Sequence, residues 1–476
     1  MPTGIPGLDE ILSGGLVANR TYLLTGPPGG GKTTLGWHFL TAASGAERSL
    51  FITFGESESD LRANAASVGI DTRAVAFCDL SPSSDLFAQI QSYDIFSASE
   101  VELEPTTKRI IDSVETTRPT RVFIDSMTAL RYLAKDQANF RRQTLSFLRY
   151  LQQRGACIVM TSEGSVEAPD DDLRFLADGV IEVAPYGRGR SLTVIKLRGS
   201  DYRPGAHTLV LDAVGATVYP RLMPAAHAAA FVAEPLAWGD AALDRMSAGG
   251  LERATVTLVT GPSGVGKTTI GMQFMKEAAH RGERSAVYTF DERVATILER
   301  CENVGIPARE MVEVGSLSVF AVEALRFSPD EFANIVRRDV EENATRIVMI
   351  DSISGYKLSV SGEDLAERLH ALCRYLQNVG VTVILVHESL SLTDVRISDV
   401  GISYLADNVI VMRYIERAAN GHAQLGRAIG VIKKRLSDFE CTLRAFEFTP
   451  AGVRIGEPLD HLAGLLGPRD FEAPAR

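Results

Sequence analysis

The sequence predicts two α/β domains in tandem, each a mainly parallel sheet flanked by helices. Three observations carry this. The stretch "GPPGGGKTT" (Gly26–Thr34) returns as "GPSGVGKTT" (Gly261–Thr269). Around each copy, short continuous apolar runs alternate with amphipathic ones, as expected of strands buried on both faces and joined through helices. Four further blocks recur in the same order in both halves, and a period this long marks a duplicated domain, not a solenoid.

The matched blocks are "LDEILSGGL" (Leu8–Leu16) with "LDRMSAGGL" (Leu243–Leu251), and "SLFITFGES" (Ser49–Ser57) with "SAVYTFDER" (Ser285–Arg293). "RVFIDSMTAL" (Arg121–Leu130) pairs with "RIVMIDSISG" (Arg346–Gly355), and "TVIKLRGSD" (Thr193–Asp201) with "GVIKKRLSD" (Gly430–Asp438). Between the halves, "YPRLMPAAHAAAFVAEPLAWG" is Ala/Pro-rich and has no clear period. It reads as a linker, with a weakly patterned helix as the alternative. The expected organisation is a first domain at 1–218, a linker at 219–239, a second domain at 240–455 and a tail at 456–476.

Each half runs in the same order. "TYLLTG" and "TVTLVTG" are β-rich runs that lead into the phosphate loop, and a helix follows each loop. "LFITF" and "AVYTF" are second strands. "RVFID" and "RIVMID" are third strands ending in Asp, and "CIVMTS" and "VTVILVHES" are fourth strands. The amphipathic "RRQTLSFLRYLQQRG" and "EDLAERLHALCRYLQNVG" are helices stopped by Gly.

At 476 residues, the chain has room for two to four domains of roughly 100–200 residues each. Hydrophobic residues make up 45% and charged residues 23%, an ordinary globular composition that needs no disulfide or metal staple. The net charge of −11 disfavours nucleic acid as a partner, because non-specific binding depends on Lys and Arg neutralising phosphates. The five cysteines are scattered, with no CxxC pair, and read as reduced thiols. "MPTGIPGLDE" lacks a signal-peptide pattern, and no apolar run approaches the ~18 residues of a membrane span. The expectation is a cytoplasmic protein with no membrane partner.

The pattern GxxxxGK[ST] is met by Gly26, Gly31, Lys32 and Thr33, and again by Gly261, Gly266, Lys267 and Thr268. Such loops wrap phosphates in backbone N–H groups. The Lys reaches the terminal phosphates and the Thr hydroxyl binds Mg2+. The expected phosphate contacts are Gly29, Gly30, Gly31, Lys32, Thr33 and Thr34, then Gly264, Val265, Gly266, Lys267, Thr268 and Thr269. Asp125 and Asp351 end apolar strands, where a magnesium-side carboxylate belongs. A turn-capping role for them is the bland alternative. Hydrolysis of a phosphoanhydride also needs a carboxylate to orient or deprotonate the nucleophile. Neither Asp is followed by Glu, so the end of the second strand is the natural source. It holds Gly55–Glu56 in the first half and Asp291–Glu292 in the second. The Lys-x-Arg segments Lys196–Arg198 and Lys433–Arg435 follow apolar strands. They could reach a nucleotide on a neighbouring subunit, as an arginine finger does in trans. A basic strand edge that resists aggregation explains them equally well.

With these residues in view, the chain resembles a double-domain KaiC-type protein of the RecA-like ATPase superfamily. The resemblance rests on "GIPGLDEILSGGL" before the first loop, "TF" plus acids on the second strand, "FIDSMT" and "IDSIS" on the third, and "KLRGS" and "KKRLS" near each domain end. It spans about residues 1–455. It implies two tandem RecA-like P-loop NTPase domains, ATP and Mg2+ at subunit interfaces, and a homohexamer of two stacked rings. It further implies slow ATP hydrolysis, and serine/threonine autophosphorylation in the second ring, in signalling or circadian-type timing with partner proteins.

The resemblance also assigns residues. The first acid after "TF" activates the nucleophile. That position is Gly55 in the first half, which leaves Glu56, and Asp291 in the second, with Glu292 beside it; Asp291 also counts among the metal-side acids. Contacts to an adjacent subunit's nucleotide fall on Lys196, Leu197, Arg198, Ser200 and Tyr202, and on Lys433, Lys434, Arg435 and Ser437, with Leu436 in place of the usual Gly. Ser67 matches a further nucleotide contact, whereas Val304 replaces an aromatic. The phosphorylated segment is "SDVGISYLADNVI", in which Ser403 matches the phosphoserine, Tyr404 stands at the phosphothreonine and Ser398 is a further acceptor. The tail "EPLDHLAGLLGPRDFEAPAR" is shorter than the partner-capturing tail of clock proteins. Two rival readings remain: a RecA/RadA-type DNA-dependent ATPase, which lacks the expected basic DNA loop, and a nucleotide-gated scaffold with little catalysis.

Overall fold

The computed structural model describes residues 1–81, 103–133, 136–163, 170–187, 189–323, 326–360, 365–389, 405–419 and 422–459. The chain separates into two compact units, Met1–Arg221 and Leu222–Arg476.

In the first unit the main strands are β1 (Thr21–Thr25), β2 (Ser49–Thr53), β3 (Val75–Asp79), β4 (Arg121–Asp125), β5 (Cys157–Ser162), β6 (Gly179–Tyr186), β7 (Gly189–Leu197), β8 (Ala206–Asp212) and β9 (Gly215–Tyr219). The helices that matter here are α1 (Lys32–Thr41), α2 (Glu58–Ser67), α3 (Leu103–Thr117) and α4 (Gln137–Gln152). The strands form one sheet in the order β3-β2-β4-β5-β1-β6-β7-β8-β9. The pairs from β3 to β6 are parallel, and those from β6 to β9 are antiparallel.

The second unit repeats this plan. Its strands are β10 (Val256–Gly261), β11 (Arg284–Thr289), β12 (Leu317–Ala321), β13 (Thr345–Asp351), β14 (Thr382–Glu388), β15 (Asn408–Ala419), β16 (His422–Lys434), β17 (Arg444–Thr449) and β18 (Gly452–Pro458). Its principal helices are α5 (Lys267–His280), α6 (Val294–Glu302), α7 (Pro329–Asn343) and α8 (Leu365–Asn378). The sheet order is β12-β11-β13-β14-β10-β15-β16-β17-β18. The expected mainly parallel sheets are therefore present twice. Each carries an antiparallel meander that the apolar-run pattern did not reveal. Its strands are only partly buried, as β7 is. One turn is closed by the Asp212 carboxylate, which accepts from the Val214 N–H at 2.9 Å.

Continuous apolar strands follow from burial on both faces. Side chains alternate across a strand, and here each alternate set enters a different core. Phe51 and Phe123 pack with Tyr22 and Leu24 on one face of the first sheet. Leu50, Ile52, Val122 and Ile124 pack on the other. In β13, Ile347 and Met349 enter one cluster and Val348 and Ile350 the other.

Part of the stretch expected as a linker is packed. Leu222 lies in a core cluster of the second unit. The Ala229 N–H donates to the Asn378 carbonyl at 3.0 Å, and Pro235–Leu236 pairs with Leu251–Glu252. Its only helical turn among the described residues is the 3-10 turn Pro224–Ala226.

The helix after each phosphate loop lies close to β4 or β13. A Cβ at Gly36 in α1 would fall 2.1 Å from Phe123 Cζ, and one at Gly271 in α5 would fall 2.4 Å from Met349 Sδ. A thioether can swing away where a ring in a packed core cannot. Thermal denaturation of Gly36→Ala should therefore show a loss of about 1–3 kcal/mol. Gly271→Ala should cost less, since the gain of about 1 kcal/mol in helix propensity offsets a smaller clash. Equal losses would contradict this account.

Candidate functional site

The C-terminal ends of parallel strands share one edge of a sheet, where open α/β sheets bind their ligands. The phosphate loops, Asp125 and Asp351, and the acid-bearing turns lie there in each unit, whereas the Lys-x-Arg segments lie beside the N-terminal ends of the parallel strands.

The phosphate loops join β1 to α1 and β10 to α5. Gly31 (φ +95°) and Gly266 (φ +110°) close them, and a Cβ would meet Leu211 at 2.4 Å or Phe448 at 2.2 Å, so both positions need Gly. Gly29 and Gly264 are exposed, Gly30 and Val265 are buried, and the Gly30 N–H donates to the Pro27 carbonyl at 3.1 Å. Thr34 is partly buried, and Thr269 lines the second cleft. Lys32 is 6% exposed. Its Nζ donates to the Gly26 and Pro27 carbonyls at 2.8 and 2.9 Å, and lies 3.7 Å from Glu163 Oε1. Lys267 Nζ donates to the Pro262 carbonyl at 2.8 Å, and burial pushes its pKa down.

The first turn of each of these helices meets the end of β4 in the first unit and of β13 in the second. Thr33 Oγ1 donates to Asp125 Oδ2 at 2.7 Å, and Thr268 Oγ1 donates to Asp351 Oδ2 at 2.6 Å. Asp125 also accepts from Thr161 Oγ1 at 2.6 Å. Burial pushes the Asp351 carboxyl above the usual range, opposed by the Thr268 hydroxyl, Arg300 and Lys267. Among the described residues no group of three His, Cys, Asp or Glu could cage a metal. One hydroxyl beside one carboxylate fits Mg2+, which keeps several waters and takes phosphate oxygens as further ligands.

The "TF" motif shapes the acid-bearing turn. Thr53 Oγ1 donates to the Glu56 carbonyl at 2.8 Å, and Thr289 Oγ1 to the Glu292 carbonyl at 3.3 Å. The N–H groups of Phe54 and Phe290 donate to the carbonyls of Asp125 and Asp351, each at 2.9 Å. Turn and strand end are thus tied together. Asp291 Oδ2 accepts from Ser352 Oγ at 2.8 Å, and both line the second cleft with Glu292, Lys267, Thr268 and Asp351. In the first unit Glu56 and Gly55 are exposed, and nothing lies within 4 Å of a Cβ built on Gly55.

The Lys-x-Arg segments divide their work. Lys196 Nζ donates to the Arg174 and Ala177 carbonyls at 3.0 and 2.6 Å, and Lys433 Nζ to the Ala406 carbonyl at 2.6 Å. Burial, then the neighbouring Arg198 or Arg435, pushes both amines down. Arg198 is exposed; Arg435 is half exposed and pairs with Asp407 at 3.0 Å. Leu197 and Tyr202 pack against the first unit's own core, and Ser200 and Ser67 bond to nearby carbonyls. Lys434 differs from the expectation of a neighbour contact. Its side chain is 1% exposed and 2.9 Å from Glu252, and it donates to the Ser247 and Gly250 carbonyls. Ser437 Oγ donates to the same Glu252 at 2.5 Å.

Sequence reasoning missed Glu163 and Glu388, which follow or end the fourth strands beside the phosphate-loop lysines. Their signal was the matched "TSE" and "VHE". It also missed Arg300, which lines the second cleft and has no counterpart in the first-half sequence.

A family model described as the KaiC ATPase matches residues 1–223 and again 239–460. The chain belongs to the KaiC ATPase family. Its two KaiC spans each hold one phosphate loop, one Thr–Asp pair and one acid-bearing turn. The chain is 26% identical over 490 residues to the circadian clock protein KaiC3 of Synechocystis sp., covering 98% of this chain and 93% of that protein. It is 27% identical to the circadian clock oscillator protein KaiC of Prochlorococcus marinus, covering 96% and 92%, and 26% identical to that of Synechococcus elongatus, covering 96% and 88%. No helix of the described residues is long and apolar enough to cross a membrane. Ser398, Ser403, Tyr404 and residues 460–476 lie outside the described residues.

The space at Gly55 generates a direct expectation. Gly55→Glu should fold with unfolding free energy within about 0.5 kcal/mol of wild type, as for a surface change. It should raise ATP turnover in a Lys267→Ala background, where only the first unit acts. Unchanged turnover in a stably folded variant would show that a missing acid is not what limits this unit.

Proposed function

We propose that each unit binds ATP with Mg2+ and hydrolyses it slowly, and that the second unit also transfers a phosphoryl group to a serine of its own chain. The supporting observation is the convergence of Lys267, Thr268, Asp291, Glu292 and Asp351 on one cleft. Lys267 would meet the terminal phosphates, as Lys32 would in the first unit. Thr268 with Asp351, and Thr33 with Asp125, would hold Mg2+, with Asp291 on the same side in the second unit. When bound, the metal neutralises charge developing on the phosphates. Asp291 and Glu292, and Glu56 in the first unit, would orient the nucleophile and take its proton as the new P–O bond forms and ADP leaves.

Ser403 is the proposed acceptor, with Ser398 as a second. The protein would act in the cytoplasm as a homohexamer of two rings. Lys196, Arg198, Lys433 and Arg435 would approach a neighbour's nucleotide, and Lys434, enclosed in its own unit, is left out of that set. The relatives' names point to circadian-type timing, with signalling as the broader role. For the first unit, bare Gly55 favours a second reading: a nucleotide-holding ring with little turnover.

Incubation with γ-32P-ATP tests this. Wild type should release phosphate and become labelled, Lys267→Ala should lose the label, and Ser403→Ala should lose most of it. Equal label in wild type and Ser403→Ala sinks the acceptor assignment. ATP left intact after prolonged incubation of wild type sinks the hydrolysis reading.

A further inference from the structure

The two units differ sharply ten positions past the Phe of the "TF" pair. The first has Asn64 in α2; the second has Arg300 in α6. Side chains on a helix lean toward its N-terminus. Arg300, in the last turn of α6, therefore reaches back toward Glu292, which stands just before the helix.

The contact is one charge-assisted hydrogen bond with a second close approach beside it. Arg300 Nη1 donates to Glu292 Oε1 at 2.8 Å; Nη2 lies 2.8 Å from Oε2 but is not aligned to donate to it. A guanidinium bonded to one oxygen and set close to the other holds the carboxylate in place. The Arg300 and Glu292 side chains are 35% and 38% exposed, and an ion pair that open adds little to stability. Orientation, not stability, is what this pair supplies. The first unit has no equivalent ion pair: Asn64 Nδ2 stands 3.5 Å from Glu56 Oε2, one long contact from a neutral amide. The other acid of the second unit is placed differently. Asp291 Oδ2 is engaged by Ser352, whose Oγ in turn accepts from the Gly355 N–H at 3.0 Å.

We infer that Arg300 is a positioning residue. It sets the Glu292 carboxylate at the wall of the second cleft, so that Glu292, not Asp291, is the acid presented to the nucleophile. The inference rests on the proposed hydrolysis of ATP by the second unit and gives that site its oriented acid. The first unit, with Asn64, lacks the device.

The test is steady-state ATP hydrolysis by the full chain. Lys267→Ala defines the turnover that does not come from the second unit. Arg300→Asn, which installs the first unit's residue, should lower the remaining kcat about tenfold, the scale of a small misplacement of a reacting group, with KM unchanged. Arg300→Lys, a single-point donor, should recover part of the loss. On a Glu292→Gln background, Arg300→Asn should have no further effect. Three results overturn the inference: an unchanged kcat in Arg300→Asn, a raised KM with kcat intact, or additive losses with Glu292→Gln. Wild type no faster than Lys267→Ala overturns the hydrolysis reading itself, and this inference with it.

Discussion

Each unit is organised by one short contact, the hydrogen bond from a threonine hydroxyl in the first turn of the post-loop helix to the aspartate that ends β4 or β13. It measures 2.7 Å for Thr33–Asp125 and 2.6 Å for Thr268–Asp351. A bond to an ionised acceptor contributes about 1.5–3 kcal/mol, but its main consequence is geometric. The helix can bring its first turn to the strand end only by lying close to the sheet, which is why Gly36 and Gly271 face Phe123 and Met349. The same strand end carries the acid-bearing turn, through the N–H groups of Phe54 and Phe290. Phosphate loop, strand-end carboxylate and acid-bearing turn therefore share one anchor.

On that common scaffold the two sites differ in charge. In the first, Lys32 is held between loop carbonyls and Glu163, Gly55 is bare, and Glu56 stands in solvent. In the second, four carboxylates (Asp291, Glu292, Asp351 and Glu388) face two cations, Lys267 and Arg300. A polyphosphate cannot enter a cleft with that excess of negative charge unless it brings a cation. The donor pair Thr268–Asp351 is where such a cation would lie. Burial of Asp351 acts in the same direction, because a buried carboxylate gains most from a positive neighbour.

Much of this was legible in the sequence. The duplication, the loop–helix junctions and the strand-end aspartates were marked by repeated motifs, and "TF" plus acids located the acid-bearing turn. The antiparallel meander was not legible, because half-buried hairpin strands give neither a continuous apolar run nor a clean alternation. Arg300 was invisible for a different reason. A lone arginine late in an amphipathic helix reads as solvated surface, and only the lean of helical side chains reveals that it reaches back eight positions. Glu163 and Glu388 were present as a matched pair, but each directly follows or ends an apolar strand and was absorbed into it.

The Lys-x-Arg segments show the same limit and resolve it through the geometry of a strand. Successive side chains on a strand point to opposite faces. Lys433 and Lys434 are adjacent, so they cannot both face outward on the same side. Lys434 faces inward, where Glu252 and two carbonyls satisfy it, and its burial there would be costly without them. Lys433 and Lys196 bond to the carbonyls of Ala406 and Ala177 at matched places, which fixes the direction of both segments. The most exposed cations of the segments are the arginines, Arg198 and the half-exposed Arg435. Of the two, Arg435 is held by Asp407 through Nη1. The structure therefore separates Lys434, whose ammonium is enclosed in its own unit, from the other basic residues of the two segments.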